Sequence, residues 1–254
     1  MRLVCADQQR AAFDPILCSD NQRNSMSTIA VIPVKQLHDA KQRLSSVLSG
    51  AERHGLFSAM VEDVLIAIRE CPEIDGTMIV SNDASLMDLV REFNVELVDE
   101  PETPGLNQAA AMVAGLLAGR GVARMLFVHG DLPLVTGAEL TGVLDGLGES
   151  ADAEMAIAPA ADLGGSNCVA LAPPDCMTFA FGADSFARHM RIAEERGITP
   201  NVTRLPGIGL DVDTPEDLAE LARVLADASS DVARRTRVYL TTSGILLREL
   251  TASA

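Results

Sequence analysis

The sequence predicts an α/β fold, a mostly parallel, doubly wound sheet with helices on both faces. Three observations predict it. Short apolar runs of strand length recur along the chain, each followed by a stretch with helical caps or helical period. The runs are near-continuous in Val, Ile, Leu and Ala, as strands buried on both faces must be. Only 3% of the residues are aromatic although 48% are hydrophobic, which suits aliphatic helices laid on a parallel sheet.

Residues 1–27 look appended, because "QQRAAFDPILCSDNQRNS" has no period and many polar side chains. Met26 abuts the first strand, so this segment is expected to be a disordered leader or a start read too early. Strands are expected at 28–34, 77–81, 95–99, 124–129, 154–158, 168–172 and 202–205. Ser49 and Glu52 form a capping box ahead of a helix whose Leu56, Met60, Val64 and Ile68 share one face. Thr136 and Glu139 mark a second helix start. Gly197 should close the helix that carries "SFARHMRIAEER". Thr214, Pro215, Glu216 and Asp217 supply an N-cap, a first-turn proline and acids where a helix dipole favours them. One catalytic domain is therefore expected over 28–227. The tail, 228–254, is expected to be a peripheral strand or helix, with no function assigned.

Length and composition also exclude. A chain of 254 residues can bury a sizeable core. Its net charge of −16 makes nucleic acid an unlikely bulk partner, since phosphate backbones attract the opposite sign. No apolar run approaches the ~18 residues a membrane span needs, so no membrane partner is expected. Cys5, Cys18, Cys71, Cys168 and Cys176 are scattered, without a CxxC or a zinc-like spacing. A reduced, cytoplasmic protein is the expectation.

Candidate chemistry falls at the carboxyl ends of strands, where doubly wound sheets bind ligands. "MLFVHGDLPLV" puts Asp131 just past an apolar strand, and Pro133 turns the chain away. "VIPVKQLHDAKQRL" places Lys35, Lys41 and Arg43 within nine residues of an otherwise acidic chain. Such cations either form a solvated turn or neutralise a triphosphate and its departing diphosphate. Asn107 lies at the mouth of an Ala-rich helix, as a cap or as a contact to a base or ribose. In "ADLGGSN" two glycines precede Ser166 and Asn167, a tight turn or an anion cradle. "FGADSFARHM" sets Gly182 and Ser185 at a helix start, with Arg188 and His189 in the next turn. Asp211 and Asp213 alternate in "GLDVDTPEDL", so on a strand they point the same way. Asp217 there is explained by capping. With Asp131 the other two suggest a Mg²⁺ site of oxygen ligands.

Taken together, "IPVK…AKQRL", "GLN", "GDLPL", "GGSN", "FGADSFARH" and "DVDTPEDL", in this order, resemble the CofC/FbiD family over about 28–225. The resemblance implies the MobA-like nucleotidyltransferase fold. It implies guanylyl transfer from GTP to a phosphorylated three-carbon acid in coenzyme F-420 biosynthesis, with Mg²⁺ as cofactor and a homodimer as a common assembly. The acid is 2-phospho-L-lactate, phosphoenolpyruvate or 3-phospho-D-glycerate in different members. Asp131 and Asp211 would hold Mg²⁺, with Asp213 in reserve. Lys35, Lys41 and Arg43 would hold the triphosphate, with Asn107 near the nucleoside. Ser166, Asn167, Gly182 and Ser185 would form the acceptor pocket, aided by Arg188 or His189. Two departures stand out: His129 and Gly130 replace the small residue and proline often found before this aspartate, and Ser166 replaces a frequent threonine. Other MobA-like enzymes usually carry an "LAGGxSxRMG"-type loop after the first strand, which this chain lacks. An inactive nucleotide-binding module would be expected to lose its carboxylates first, and they are present.

Overall fold

The computed structural model describes residues 27–35, 41–148, 152–227 and 232–252. Residues 1–26 of the expected leader lie outside them, as do residues 36–40 of the basic loop. Seven strands form one sheet in the order β3-β2-β1-β4-β6-β5-β7. They are β1 Thr28–Pro33, β2 Gly76–Val80, β3 Glu96–Val98, β4 Arg124–Val128, β5 Glu154–Pro159, β6 Ser166–Ala172 and β7 Asn201–Val202. The first six match the expected strands closely; the seventh, expected over 202–205, is only Asn201–Val202 and shares one residue with that range. The pairs β1–β2, β1–β4, β2–β3 and β5–β7 are parallel. β6 runs antiparallel to β4 and to β5. The reason is local: only residues 160–165 join β5 to β6, too few for a parallel crossover.

The helices are α1 Gly50–Arg69, α2 Met87–Phe93, α3 Leu106–Gly119, α4 Gly137–Leu144, α5 Ser185–Glu195, α6 Pro206–Gly209, α7 Pro215–Asp227, α8 Arg234–Thr242 and α9 Ile245–Ala252. Both capping boxes form, at Ser49 and at Thr136. Gly197 closes α5 at φ 72°, where a side chain would be strained. Successive strand residues face opposite layers. Ala30, Ile32, Leu126 and Val128 pack with α1, α4 and α7. Val31, Met125 and Phe127 pack with α3 and with Phe179, Phe181 and Ala193 on the other face. That alternation makes the sheet doubly wound.

The tail contributes two helices rather than a loose end. Asp63 on α1 accepts the N–H groups of Arg235 at 2.9 Å and Thr236 at 2.8 Å, which caps α8. Leu240 and Ile245 are fully buried in the same core layer as α1. No helix among the described residues is long and apolar enough to cross a membrane.

Candidate active site at the strand ends

β4 ends at Val128, and the turn that follows delivers Asp131. The main-chain carbonyl of Asp131 accepts the N–H of Val212 at 3.1 Å, which ties the second acidic segment to the first. Asn167, on the neighbouring strand, donates its amide to the Ile208 carbonyl at 2.8 Å and to Asp211 Oδ1 at 3.1 Å. Three carboxylates thereby gather where β4 and β6 meet.

Asp211 and Asp213 do not lie on a strand, contrary to expectation. Their alternation imitates one, but no ladder can form. The N–H of Val212 is used by Asp131, and the N–H of Asp213 donates to Asp217 Oδ2 at 3.0 Å. Asp217 also accepts from the N–H and hydroxyl of Thr214 at 2.7 and 2.8 Å, so it is a capping residue as expected.

The basic residues are dealt to different places. Lys41 takes a left-handed backbone, φ 56°, at the start of a 3₁₀ turn spanning Gln42–Ser46. Its side chain is only 5% exposed. The ammonium is salt-bridged to Asp131 Oδ2 and, at 2.5 Å, to Asp213 Oδ1, with the Phe57 ring 5.6 Å away. Arg43 approaches Asp213 at 4.0 Å but is 75% exposed. Lys35 stands apart from this pair. It lines a cleft of about 360 Å³ with Asn82, Glu100, Gly105 and Leu106, at the ends of β1 and β3 and the start of α3.

Charge here is only partly compensated. Burial alone would push the Asp131 carboxyl up, but Lys41 and then His129 outweigh it and hold the group below its ordinary value. Burial pulls Lys41 down, and the two aspartates more than reverse that. Asp211 is raised, first by burial and then by the Asp131 charge, with Asn167 opposing. Asp131 Oδ1 is buried and has no hydrogen-bond partner among the described residues.

These features decide whether Mg²⁺ fits. Among the described residues no group of three or more His, Cys, Asp or Glu could hold a metal alone. Mg²⁺ needs fewer, since it usually takes one or two carboxylates and completes its shell with phosphate oxygens and water. A buried carboxylate oxygen without a partner, beside a second carboxylate that its charge disturbs, suits that requirement.

Much of the expected acceptor pocket is turned inward. Ser166 and Asn167 are the first residues of β6 rather than part of the preceding turn, and both are buried. The Ser166 N–H donates to Ser185 Oγ at 2.8 Å. His189 Nε2 accepts the Ala180 N–H at 2.9 Å, so its proton sits on Nδ1, which donates to Ser166 Oγ at 2.9 Å. Burial, with Arg188 and His129 nearby, lowers His189 to about 4 and keeps it neutral. The Ser166, Ser185 and His189 side chains are buried and tie α5 to β6. Arg188 differs: one Nη donates to the Phe181 carbonyl at 2.7 Å, while its Nε is buried without a partner among the described residues. It also sits against Gly182, φ 113°, where a Cβ would meet the guanidinium at 3.2 Å. Asn107 does not cap α3. Its amide clasps the Phe181 backbone, donating to the carbonyl at 3.3 Å and accepting the N–H at 2.6 Å.

The site can be set beside known proteins. The profile of the family described as guanylyl transferase CofC-like matches residues 28–243. The chain belongs to the CofC-like family. That match takes in β1, the acidic cluster and α8, so the first tail helix lies within the CofC-like region. The phosphoenolpyruvate guanylyltransferase of Sphaerobacter thermophilus is 36% identical over 81% of this chain and 98% of its own. That of Conexibacter woesei is 34% identical over 82% and 93%. The 2-phospho-L-lactate guanylyltransferase of Methanothermobacter thermautotrophicus is 34% identical over 77% and 84%. A putative nucleotide-diphospho-sugar transferase from Desulfovibrio desulfuricans superposes with a TM-score of 0.69 at 19% identity, covering 89% of this chain and 98% of that one. A CMP-2-keto-3-deoxy-manno-octonic acid synthetase does so at 0.54, with 10% identity, over 79% and 98%. The fold is thus that of nucleotidyltransferases.

Proposed function

We propose that the protein transfers the guanylyl group of GTP to a phosphorylated three-carbon acid and releases diphosphate. The observation that carries this reading is the meeting of Asp131, Asp211, Asp213 and Lys41 at the strand ends of a CofC-like chain. A phosphate oxygen of the acceptor forms a bond to the α-phosphorus of GTP. The bond from that phosphorus to the β-bridging oxygen breaks, and diphosphate leaves with the electron pair. The acceptor is already an anion, so no side-chain nucleophile is needed. Catalysis is alignment and charge stabilisation.

Asp131 and Asp211 would hold Mg²⁺, which when bound supplies positive charge to the phosphate oxygens. Lys41 brings a cation to Asp131 and Asp213, and Arg43 approaches Asp213, close to where a triphosphate would be neutralised. Lys35 and the cleft beside α3 suit the nucleoside. Arg188, with its unpartnered Nε, is the cation best placed for the acceptor's carboxylate or phosphate. The names of the Sphaerobacter and Conexibacter relatives favour phosphoenolpyruvate, with 2-phospho-L-lactate next and 3-phospho-D-glycerate last. We place the reaction in the cytoplasm and in coenzyme F-420 biosynthesis, in keeping with Cys71, Cys168 and Cys176 as free thiols. Incubation with GTP, Mg²⁺ and each acid in turn tests the assignment. Diphosphate release with one acid and not the others would support it and name the acceptor.

A further inference from the structure

Among the described residues, the cleft at the ends of β1 and β3 is lined by one acidic side chain, Glu100. Its carboxylate makes no hydrogen bond or ion pair among the described residues, although Lys35 lines the same cleft. Its backbone is not loose: the Glu100 N–H donates to Asn82 Oδ1 at 3.0 Å, just past the end of β3. Gly105 lines the cleft at φ 149°, with a Cβ excluded there by Gln108 Oε1 at 2.3 Å, so its bare backbone borders the cavity at the start of α3. Leu106 and Ala109 give it apolar walls of the kind a flat ring packs against.

A half-exposed carboxylate on a held backbone, beside the apolar walls of Leu106 and Ala109, can accept two adjacent donors from one ligand. Guanine has them, in N1–H and the 2-amino group. Resting on the guanylyl-transfer reading above, we infer that Glu100 selects the base by accepting both donors of the guanine Watson–Crick edge, with Asn82 as the residue that positions it. Adenine would present the N1 lone pair to the carboxylate and offer no 2-amino donor. Hypoxanthine keeps N1–H and lacks the amino group. Xanthine keeps N1–H but replaces the amino donor by a carbonyl acceptor. Lone pairs facing a carboxylate are penalised more than a missing contact, because neither partner is then satisfied.

The substitution Glu100→Gln turns this chemistry round. A glutamine oxygen still accepts N1–H, while its amide donates to the xanthine carbonyl and clashes with the guanine amino group. We measure kcat/KM for GTP, ITP, ATP and XTP with phosphoenolpyruvate, 2-phospho-L-lactate and 3-phospho-D-glycerate, following diphosphate. For the wild type, ITP should be about 10-fold poorer than GTP. For Glu100→Gln, GTP should fall about 10- to 100-fold while XTP rises, inverting their ratio. A merely structural role would lower all four nucleotides together, and that result overturns the inference. So does a wild type that uses ITP as well as GTP, an arm that needs no variant. If the wild type releases diphosphate from no nucleotide with any acid, the guanylyl-transfer reading itself fails and takes this inference with it. Activity with an unchanged GTP-to-XTP ratio in the variant removes the inference alone.

Discussion

Asp63 on α1 and Asp131 past β4 are both carboxylates sunk into the protein, but their oxygens are spent differently. Both oxygens of Asp63 accept main-chain N–H groups of α8, one each. Asp131 gives one oxygen to Lys41 and leaves the other buried without a partner. Burial raises Asp63 above its ordinary value, with the α8 donors opposing. Asp131 is held below its ordinary value by neighbouring charge in spite of burial. In Asp63 both oxygens are engaged in closing a helix. A carboxylate that keeps a lone oxygen pays in stability and gains a place for a cation. The difference separates scaffold from site without any appeal to residue type.

The sharpest way to break the comparison is to neutralise each acid in turn. Asp131→Asn should leave the chain folded and lower turnover by about 100-fold or more, the loss expected for one preorganised electrostatic contact. Near-normal turnover would show that Asp131 is as structural as Asp63.

His189 offers a second contrast, a group kept neutral chiefly by its burial. Its folded value of about 4 lies below the ordinary 6.5. The contribution to stability is therefore complete above about pH 6.5 and is lost as pH falls towards 4, because the unfolded chain takes the proton first. Between pH 7 and pH 5 the loss should be about 2 kcal/mol. Thermal melts across that range check it, and a flat profile would deny that the imidazole is held unprotonated.

Arg188→Ala should raise the acceptor KM about 10-fold and leave that for GTP unchanged, since only one of the two anions loses a charged partner. An effect on GTP instead would show that the two pockets are assigned the wrong way round. The smallest effect belongs to the scaffold acid. Asp63→Ala should cost about 1 kcal/mol through the lost cap, read as a lower Tm, with kcat unaltered at 25 °C. A change in kcat there would tie α8 to the chemistry.

Local signals carried most of the fold. The capping boxes at Ser49 and Thr136, Gly197 after α5, and the apolar runs of the first six strands were legible because each depends on neighbours in sequence. What the sequence hid depends on distance along the chain. Lys41 meets Asp131 across 90 residues and Asp213 across 172, so its place between two acids could not be read from a basic loop. Ser166 and His189 are 23 residues apart, and nothing in their local patterns says that they satisfy each other. Asp211 and Asp213 misled for a related reason, since two-residue alternation reads as a strand unless the partners of the intervening N–H groups are known. Glu100 carried no sequence signal, because its meaning comes from the cleft around it.

Asp131 is proposed to organise guanylyl transfer at the strand ends. The most direct measurement incubates the wild type and Asp131→Asn with GTP, Mg²⁺ and phosphoenolpyruvate, then identifies the coupled product by mass and counts diphosphate. The wild type should yield a guanylylated phospho-acid with one diphosphate per product, and the variant about 1% of that rate or less. A wild type that forms no such product with this acid or either of the other two, or a variant that matches the wild-type rate, would contradict the claim.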